Sequence, residues 1–227
     1  MKIMILHFDI ESRPDPNFPE DKKPKAPLKG ATKAETIAKK EKDWAENPEG
    51  LIKKMSCDPR MNMIISIEAC GSDGKFLWNS WEMTEKEQLE AFWEAVKRFD
   101  LVQGFGVAGL DIPTILQRSL ILNVEVTTDF SNLSKYKRFP VYDSQLVLSP
   151  NNAPEKDINL DFYCWRYGLP AKTGKGSQVY QMFCEGKIKE ISEYCRNDVI
   201  AEKALFEKII NYYPVPRNYD REQYQSN

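Results

Sequence analysis

Asp9 and Glu11 stand two residues apart at the end of the first apolar run, in the stretch Phe8-Asp9-Ile10-Glu11-Ser12. On a β-strand that spacing projects both side chains from one face, about 7 Å apart along the strand. Two carboxylates so close repel each other unless a cation sits between them. Hard divalent ions such as Mg²⁺ and Mn²⁺ choose oxygen ligands. The pair therefore reads either as half of a metal site at a sheet edge or as an ordinary strand end meeting solvent. Two more carboxylates bear on that choice. Asp111 follows the apolar run Leu101–Phe105 and a glycine-rich turn (Gly104, Gly106, Gly109), then opens a helix as Asp111-Ile112-Pro113, where it could be an N-cap or a ligand. Asp198 lies in Glu193-Tyr194-Cys195-Arg196-Asn197-Asp198-Val199, one helical turn after Tyr194 and on its face. Ile191, Cys195, Val199 and Leu205 turn that face inward. A carboxylate aimed at a core needs a partner, ordinarily Arg or Lys. A tyrosine one turn away suggests instead a hydroxyl that positions a water beside a metal.

What the chain lacks narrows the chemistry. His7 is its only histidine, and His-based triads, H-E-x-x-H zinc sites and His-ligated deaminase sites all need more imidazole than this chain has, or a different placement of it. His7 has the strand parity of Asp9 and Glu11, and reads as a packed or hydrogen-bonded strand residue that could also reach the site. The five cysteines are scattered, without C-x-x-C spacing, which argues for a reducing compartment and against a zinc ribbon or a disulfide scaffold. No signal peptide or membrane span is legible, so the expected location is the cytoplasm. The formal net charge is -2, but ten lysines face five acids between Lys22 and Lys54, leaving the rest of the chain at about -7.

The elements that must position these residues follow from periodicity. Residues 3–11 read as a buried strand, and residues 62–70 and 75–81 as a β-hairpin closed by Ser72-Asp73-Gly74. Thr84 and Glu87 form a capping box for a helix with Leu89, Phe92, Trp93, Val96 and Phe99 at helical spacing. A strand at 101–105, a helix at 112–122 with Pro113 in its first turn, and a strand at 138–143 follow. Helices are expected at 158–168, 176–185 and 189–211. The order predicts an α/β fold, a mixed five-stranded sheet flanked by helices. After the first strand comes a Pro- and Lys-rich insert, residues 13–60, with a helix from about Lys33 to Trp44 opened by a capping box Thr32…Glu35. Residues 1–213 read as one domain, and 214–227 as an extended or disordered tail.

Asp9-Ile10-Glu11 in the first strand, then Gly104-Phe105-Gly106-Val107-Ala108-Gly109-Leu110-Asp111-Ile112-Pro113, then Tyr194-Cys195-Arg196-Asn197-Asp198-Val199, resemble the three motifs of the DEDD 3′–5′ exonucleases in their tyrosine branch. The chain is most similar to stand-alone, phage-type relatives of the family-B DNA polymerase exonuclease domain. Gly176-Ser177-Gln178-Val179-Tyr180 and the insert ending Met55-Ser56-Cys57-Asp58-Pro59 resemble the same subgroup, and the likeness runs to about Asn211. Two positions depart from the family pattern. Gly106 stands where an asparagine is common, which puts that amide's substrate contact in doubt, and Leu110 stands where Phe is common.

The resemblance implies a ribonuclease H-like fold and hydrolysis assisted by two divalent ions, Mg²⁺ or Mn²⁺. It implies Asp9, Glu11, Asp111 and Asp198 as ligands: Asp9 bridging, Glu11 and Asp198 completing the site of the attacking water, Asp111 holding the second ion. Tyr194 would orient the water; with an ordinary pKa near 10 it is a poor base at neutral pH. Expected substrate contacts are Ile10, Phe105, Gly106, Lys172 and Lys175, with Lys33, Lys39 and Lys40 either along a phosphate backbone or on a solvated helix. The expected partner is a single-stranded DNA 3′ end, cut to nucleoside 5′-monophosphates. A polymerase fused to the domain is not expected at this length, while a DNA polymerase or replication protein in trans is open. For a phage-encoded chain the setting would be DNA replication or recombination in a bacterial host. An exoribonuclease with the same site is the alternative enzyme. A non-cleaving nucleic-acid-binding or polymerase-associated module is the alternative class, and the presence of all four acids and the tyrosine weighs against it.

Overall fold

Ten residues in extended conformation, β1 (Ile5–Pro14), form the axis of the fold. The structure is a computed structural model, and it describes residues 3–28, 30–130, 133–155, 158–170 and 176–215. β1 pairs antiparallel with β2 (Asn62–Cys70) and parallel with β3 (Leu101–Gly104), which pairs parallel with β4 (Val141–Asp143). Among the described residues the sheet therefore has four strands in the order β2-β1-β3-β4, not the five expected. The missing one is the second arm of the predicted hairpin. Phe76 makes a single bridge to Cys70, and Leu77 N–H reaches the Ala69 carbonyl. The chain then leaves the ladder, because Ser80 turns in a short 3₁₀ helix to donate to the buried Glu68 carboxylate.

The two faces of the sheet carry different layers. Leu6, Phe8 and Ile10 of β1 pack with α3 (Glu85–Val96) and α4 (Asp111–Leu122) in the larger core. The opposite face carries α6 (Leu160–Tyr167) and the 22-residue α8 (Ile188–Ile209). Thr84 and Glu87 form both halves of the expected capping box of α3. Arg118, almost fully buried on α4, donates to Asp15 just beyond β1 and to Glu85 of α3, both at 2.7 Å. That ion network fixes the tilt of α4 and hence the place of its first residue.

The β1–β2 connection holds α1 (Ala34–Ala45) and α2 (Pro48–Ser56). β1 runs further than expected, so the connection begins after Pro14. The expected Thr32…Glu35 capping box does not form: Lys33 is the N-cap of α1, without a side-chain cap. α2, unforeseen from sequence, has Asn47 accepting from Gly50 N–H and Pro48 at its first position. α1 buries none of its residues; Trp44 leans on its neighbours, with Nε1 donating to the Pro24 carbonyl and Lys54 Nζ 5.6 Å from its ring. The remaining helices are α5 (Ser144–Leu148) and α7 (Val179–Cys184). At the start of the expected tail Val215 is buried, and just before it Tyr142 Oη donates to the Tyr213 carbonyl. Residues 216–227 lie outside the described residues. No helix among the described residues is long and apolar enough to cross a membrane.

Candidate metal centre

Strand alternation sends His7, Asp9 and Glu11 to the face opposite the Leu6–Phe8–Ile10 core, toward α8. There Asp9, Glu11 and Asp198 each present a carboxylate oxygen within 4.8 Å of the others, although 187 positions separate Glu11 from Asp198. Asp198 is buried, while Asp9 and Glu11 are half-buried and open outward. The donor set is all oxygen and anionic, which fits a hard divalent cation and does not fit a thiophilic one. The strand pairing shifts register at this point. Glu11 stands opposite Ser66 and Ser12 opposite Ile64, so β2 carries one residue more, Ile65. Such a bulge bends the strand and re-aims its side chains, and bulges favour places of this kind.

Asp111 does not join that mutually close set. It is the buried first residue of α4, with Leu110 as the N-cap, so the alternative of an Asp111 N-cap is set aside. It borders the site from the α2 side. Cys57, at the end of α2, keeps some surface exposure, yet its thiol is pushed up chiefly by burial, drawn down by Lys53 and pushed up by Glu11 and Asp111. Both acids therefore lie within electrostatic reach of one thiol. Tyr194 shares the inward face of α8 with Asp198, and both are buried. A Cβ on Gly176 would come within 3.8 Å of the Tyr194 hydroxyl, so the chain at Gly176 passes directly beside the phenol.

Three residues that the sequence did not single out organise this site. Glu68 stands opposite Asp9 in the β1–β2 pairing and is fully buried. It accepts from Ser80 N–H at 3.2 Å, from the Ser192 hydroxyl and from Arg196 Nε at 2.8 Å. Arg196 also donates to the Trp78 carbonyl at 2.6 Å and lies over the rings of Phe76 and Trp81. The third is Asp143, at the end of β4. Its carboxylate accepts from Gly106 N–H (2.9 Å), Ala108 N–H (3.0 Å), Gln145 N–H (2.9 Å) and Leu146 N–H (3.2 Å). Burial pushes Asp143 up while those four amides pull it down. One carboxylate thus caps α5 and shapes the loop that delivers Asp111. The Asp-Ser pair before an apolar stretch was an N-cap signal that could have found it.

Cys195 lies against Asp9. Its thiol approaches the Asp9 carbonyl at 3.3 Å and Asp9 Oδ2 at 3.5 Å. Burial raises it well above the usual thiol range, and the charges of Asp9, Glu11, Glu68 and Asp198 add to the effect, so it stays a neutral thiol. Gly104 permits the close approach of strand and helix: a Cβ there would come within 2.9 Å of the Phe8 carbonyl and 3.3 Å of Glu202 Oε2.

The expected substrate contacts lie in different surroundings. Ile10 points into the core on the other side of the sheet, because its parity is opposite to that of Asp9, so its side chain cannot meet a ligand at the carboxylates. The Gly106 N–H is committed to Asp143, and its φ of 79° suits glycine. Phe105 is partly buried against the α6–α8 core. Lys33 and Lys39 are exposed and Lys40 half-buried on the β1–β2 connection. Lys172 and Lys175 lie outside the described residues. His7 is buried against Phe206 and hydrogen-bonded through Nδ1 to Gln103, whose amide donates to Ser144, so it serves packing.

A family model described as a predicted 3′–5′ exonuclease related to the exonuclease domain of PolB matches residues 60–226. That match begins after β1, so Asp9 and Glu11 stand outside it. No curated protein matches the sequence. Among solved structures, the family B DNA polymerase from the hyperthermophilic archaeon Pyrobaculum calidifontis is similar in fold, with a TM-score of 0.60 and 16% identity over 93% of this chain and 25% of the polymerase. The chain spans about a quarter of the length of that polymerase.

Proposed function

The chain belongs to the family of predicted 3′–5′ exonucleases related to the exonuclease domain of PolB, and from that premise we propose that it hydrolyses phosphodiester bonds at single-stranded DNA 3′ ends with two divalent metal ions, releasing nucleoside 5′-monophosphates. The observation that carries this reading is the meeting of Asp9, Glu11 and Asp198. Charged side chains drawn together from β1 and α8, against their own repulsion, are what a cation site requires.

Asp9, Glu11 and Asp198 would hold one Mg²⁺ or Mn²⁺, and Asp111, with Asp9, the second. Bound there, such ions supply Lewis-acid stabilisation of phosphate charge and an acidified water. The chain's own residues do the rest. Tyr194 donates a hydrogen bond that orients the attacking water, and its neutral phenol adds no charge to a site already anionic. Asp143 holds the loop behind Asp111, and the Glu68–Arg196 pair sets α8 against β2, the strand paired with β1, so neither carboxylate has to be repositioned when substrate arrives. The lysines of α1 and its flanks lie along the phosphate backbone outside the metal site. DNA is favoured over RNA because the family is defined by its relation to a DNA polymerase domain, and a polymerase or replication protein acting in trans fits that relation.

The test is cleavage of 3′- and 5′-labelled DNA and RNA, single- and double-stranded, with Mg²⁺, Mn²⁺ or EDTA. Stepwise shortening of single-stranded DNA from its 3′ end, abolished by EDTA, is the expected result. Cleavage undiminished by EDTA would overturn the metal mechanism, and faster cleavage of RNA would replace DNA as substrate.

A further inference from the structure

A series of aromatic contacts leads from Phe105, just past β3, to the surface of α6. Phe105, one residue past β3, packs in the cluster of α6 and α8 that also holds Phe206, the ring against His7, and so lies on the sheet face toward which Asp9 points. The Phe105 ring meets Tyr163 edge-on at 5.9 Å, Tyr163 meets Phe162 at 5.4 Å, and Phe162 meets Trp165 at 6.1 Å. Tyr167 stacks on the far side of Tyr163 at 6.0 Å. Exposure rises outward along the series, from 7% at Tyr163 to 37% at Phe162 and 76% at Trp165. The chain also leaves the C-cap of α6 at Gly168 and reaches Gly176, beside the Tyr194 hydroxyl, eight residues later.

A tryptophan this exposed, flanked by two more accessible rings, is an unfavourable surface unless something covers it. The exposed side chains of α6 are Asp161, Phe162, Trp165, Arg166 and Tyr167, with no aliphatic among them. Ring faces and a guanidinium plane are groups on which nucleobases stack, and the ring series joins this surface to the sheet face that carries the carboxylates. Resting on the exonuclease reading above, we propose that the α6 surface formed by Phe162, Trp165 and Tyr167 is a stacking platform for a single-stranded nucleic acid, holding bases upstream of the 3′ end that lies at the carboxylates. The terminal linkage is cut at Asp9, and nucleotides several positions behind it lie against Trp165.

The platform should matter only to strands long enough to reach it. Two substrates separate the possibilities: a thymidine dinucleotide, and an oligothymidylate of about 12 nucleotides, within the length that one binding module spans. Binding of the longer strand is measured by anisotropy with a phosphorothioate at its terminal linkage, which resists cleavage. Trp165→Ala should weaken that binding by about tenfold, and Trp165→Phe by less, since a ring remains. Hydrolysis of the dinucleotide should be the same in the parent and both variants. Equal binding of the longer strand by parent and Trp165→Ala would overturn the proposal, as would an equal loss on both substrates. So would a self-association, seen in sedimentation, that Trp165→Ala abolishes without changing strand binding, because a second copy would then be the occupant. A parent that binds the strand through Trp165 but cleaves neither substrate would instead reject the exonuclease reading and keep the platform.

Discussion

Glu68 stands directly across the β1–β2 pairing from Asp9, so two carboxylates face each other on adjacent strands at the heart of the candidate site. Like charges placed opposite in a sheet destabilise it. Arg196 resolves the conflict from α8 with a 2.8 Å bond from Nε to Glu68. Arg196 lies between Tyr194 and Asp198 in sequence, so the residue that neutralises Glu68 also ties the helix of Tyr194 and Asp198 to the strand beside Asp9.

Removing the arginine should therefore harm both fold and site. Arg196→Met leaves Glu68 buried without its counter-charge, which costs about 3 kcal/mol. The urea midpoint should fall accordingly. Metal affinity, read by calorimetry at a temperature where the variant is folded, should fall as well. Glu68→Gln in the same chain should restore much of the stability, because a neutral amide needs no cation. If Arg196→Met alone leaves both readings unchanged, the pair positions nothing.

Asp9→Asn removes a metal ligand and one negative charge. Without metal it should melt no lower than the parent, and higher if the repulsion is appreciable. The rise in melting temperature that Mg²⁺ or Mn²⁺ gives the parent should vanish. Tyr194→Phe should keep that rise and slow cleavage by about 10- to 100-fold, the worth of one hydrogen bond to a charged group. Asp9→Asn should be the slower of the two. Parental activity in Asp9→Asn would remove the mechanism.

His7 provides a pH test that no second imidazole can confound, being the only histidine. Burial lowers it from the ordinary 6.5 to about 4, partly opposed by its bond to Gln103. The unfolded chain then binds a proton between those values that the folded chain does not. The neutral imidazole's contribution is complete above pH 6.5 and is lost as pH falls toward 4. The full loss amounts to about 3 kcal/mol. The difference in stability between the parent and His7→Gln should therefore slope with pH across that window and be flat above it. A flat difference throughout would show that His7 is not held neutral.

The lysines of the β1–β2 connection can be separated from the metal site by salt. Neutralising Lys33, Lys39 and Lys40 together should flatten the plot of log affinity against log salt by roughly 0.7 for each phosphate they no longer neutralise. Turnover of a bound end should hardly change. An unaltered slope would make α1 a solvated helix. A loss of folding would point to the docking of Trp44 on its neighbours instead.

Local pattern carried much of this molecule. The parity of Asp9 and Glu11, the one-turn spacing of Tyr194 and Asp198, and the Thr84–Glu87 capping box are properties of neighbouring residues, and strand and helix geometry translate them directly into shared faces. The same rule puts the Ile10 side chain in the core on the opposite face from Asp9. What the tertiary structure decided were matters of long-range pairing. The last arm of the hairpin left the sheet because the buried Glu68 draws Ser80 into a turn, and no periodicity within 75–81 records that demand. Glu68 and Arg196 are 128 positions apart, and Asp143 is 37 from Gly106. Each is an inconspicuous charged residue in its own segment and acquires a role only through the polar groups it must satisfy once buried. Residue type and spacing set which carboxylates could share a face, while the packing of α8 across β1 and β2 determined which of them meet.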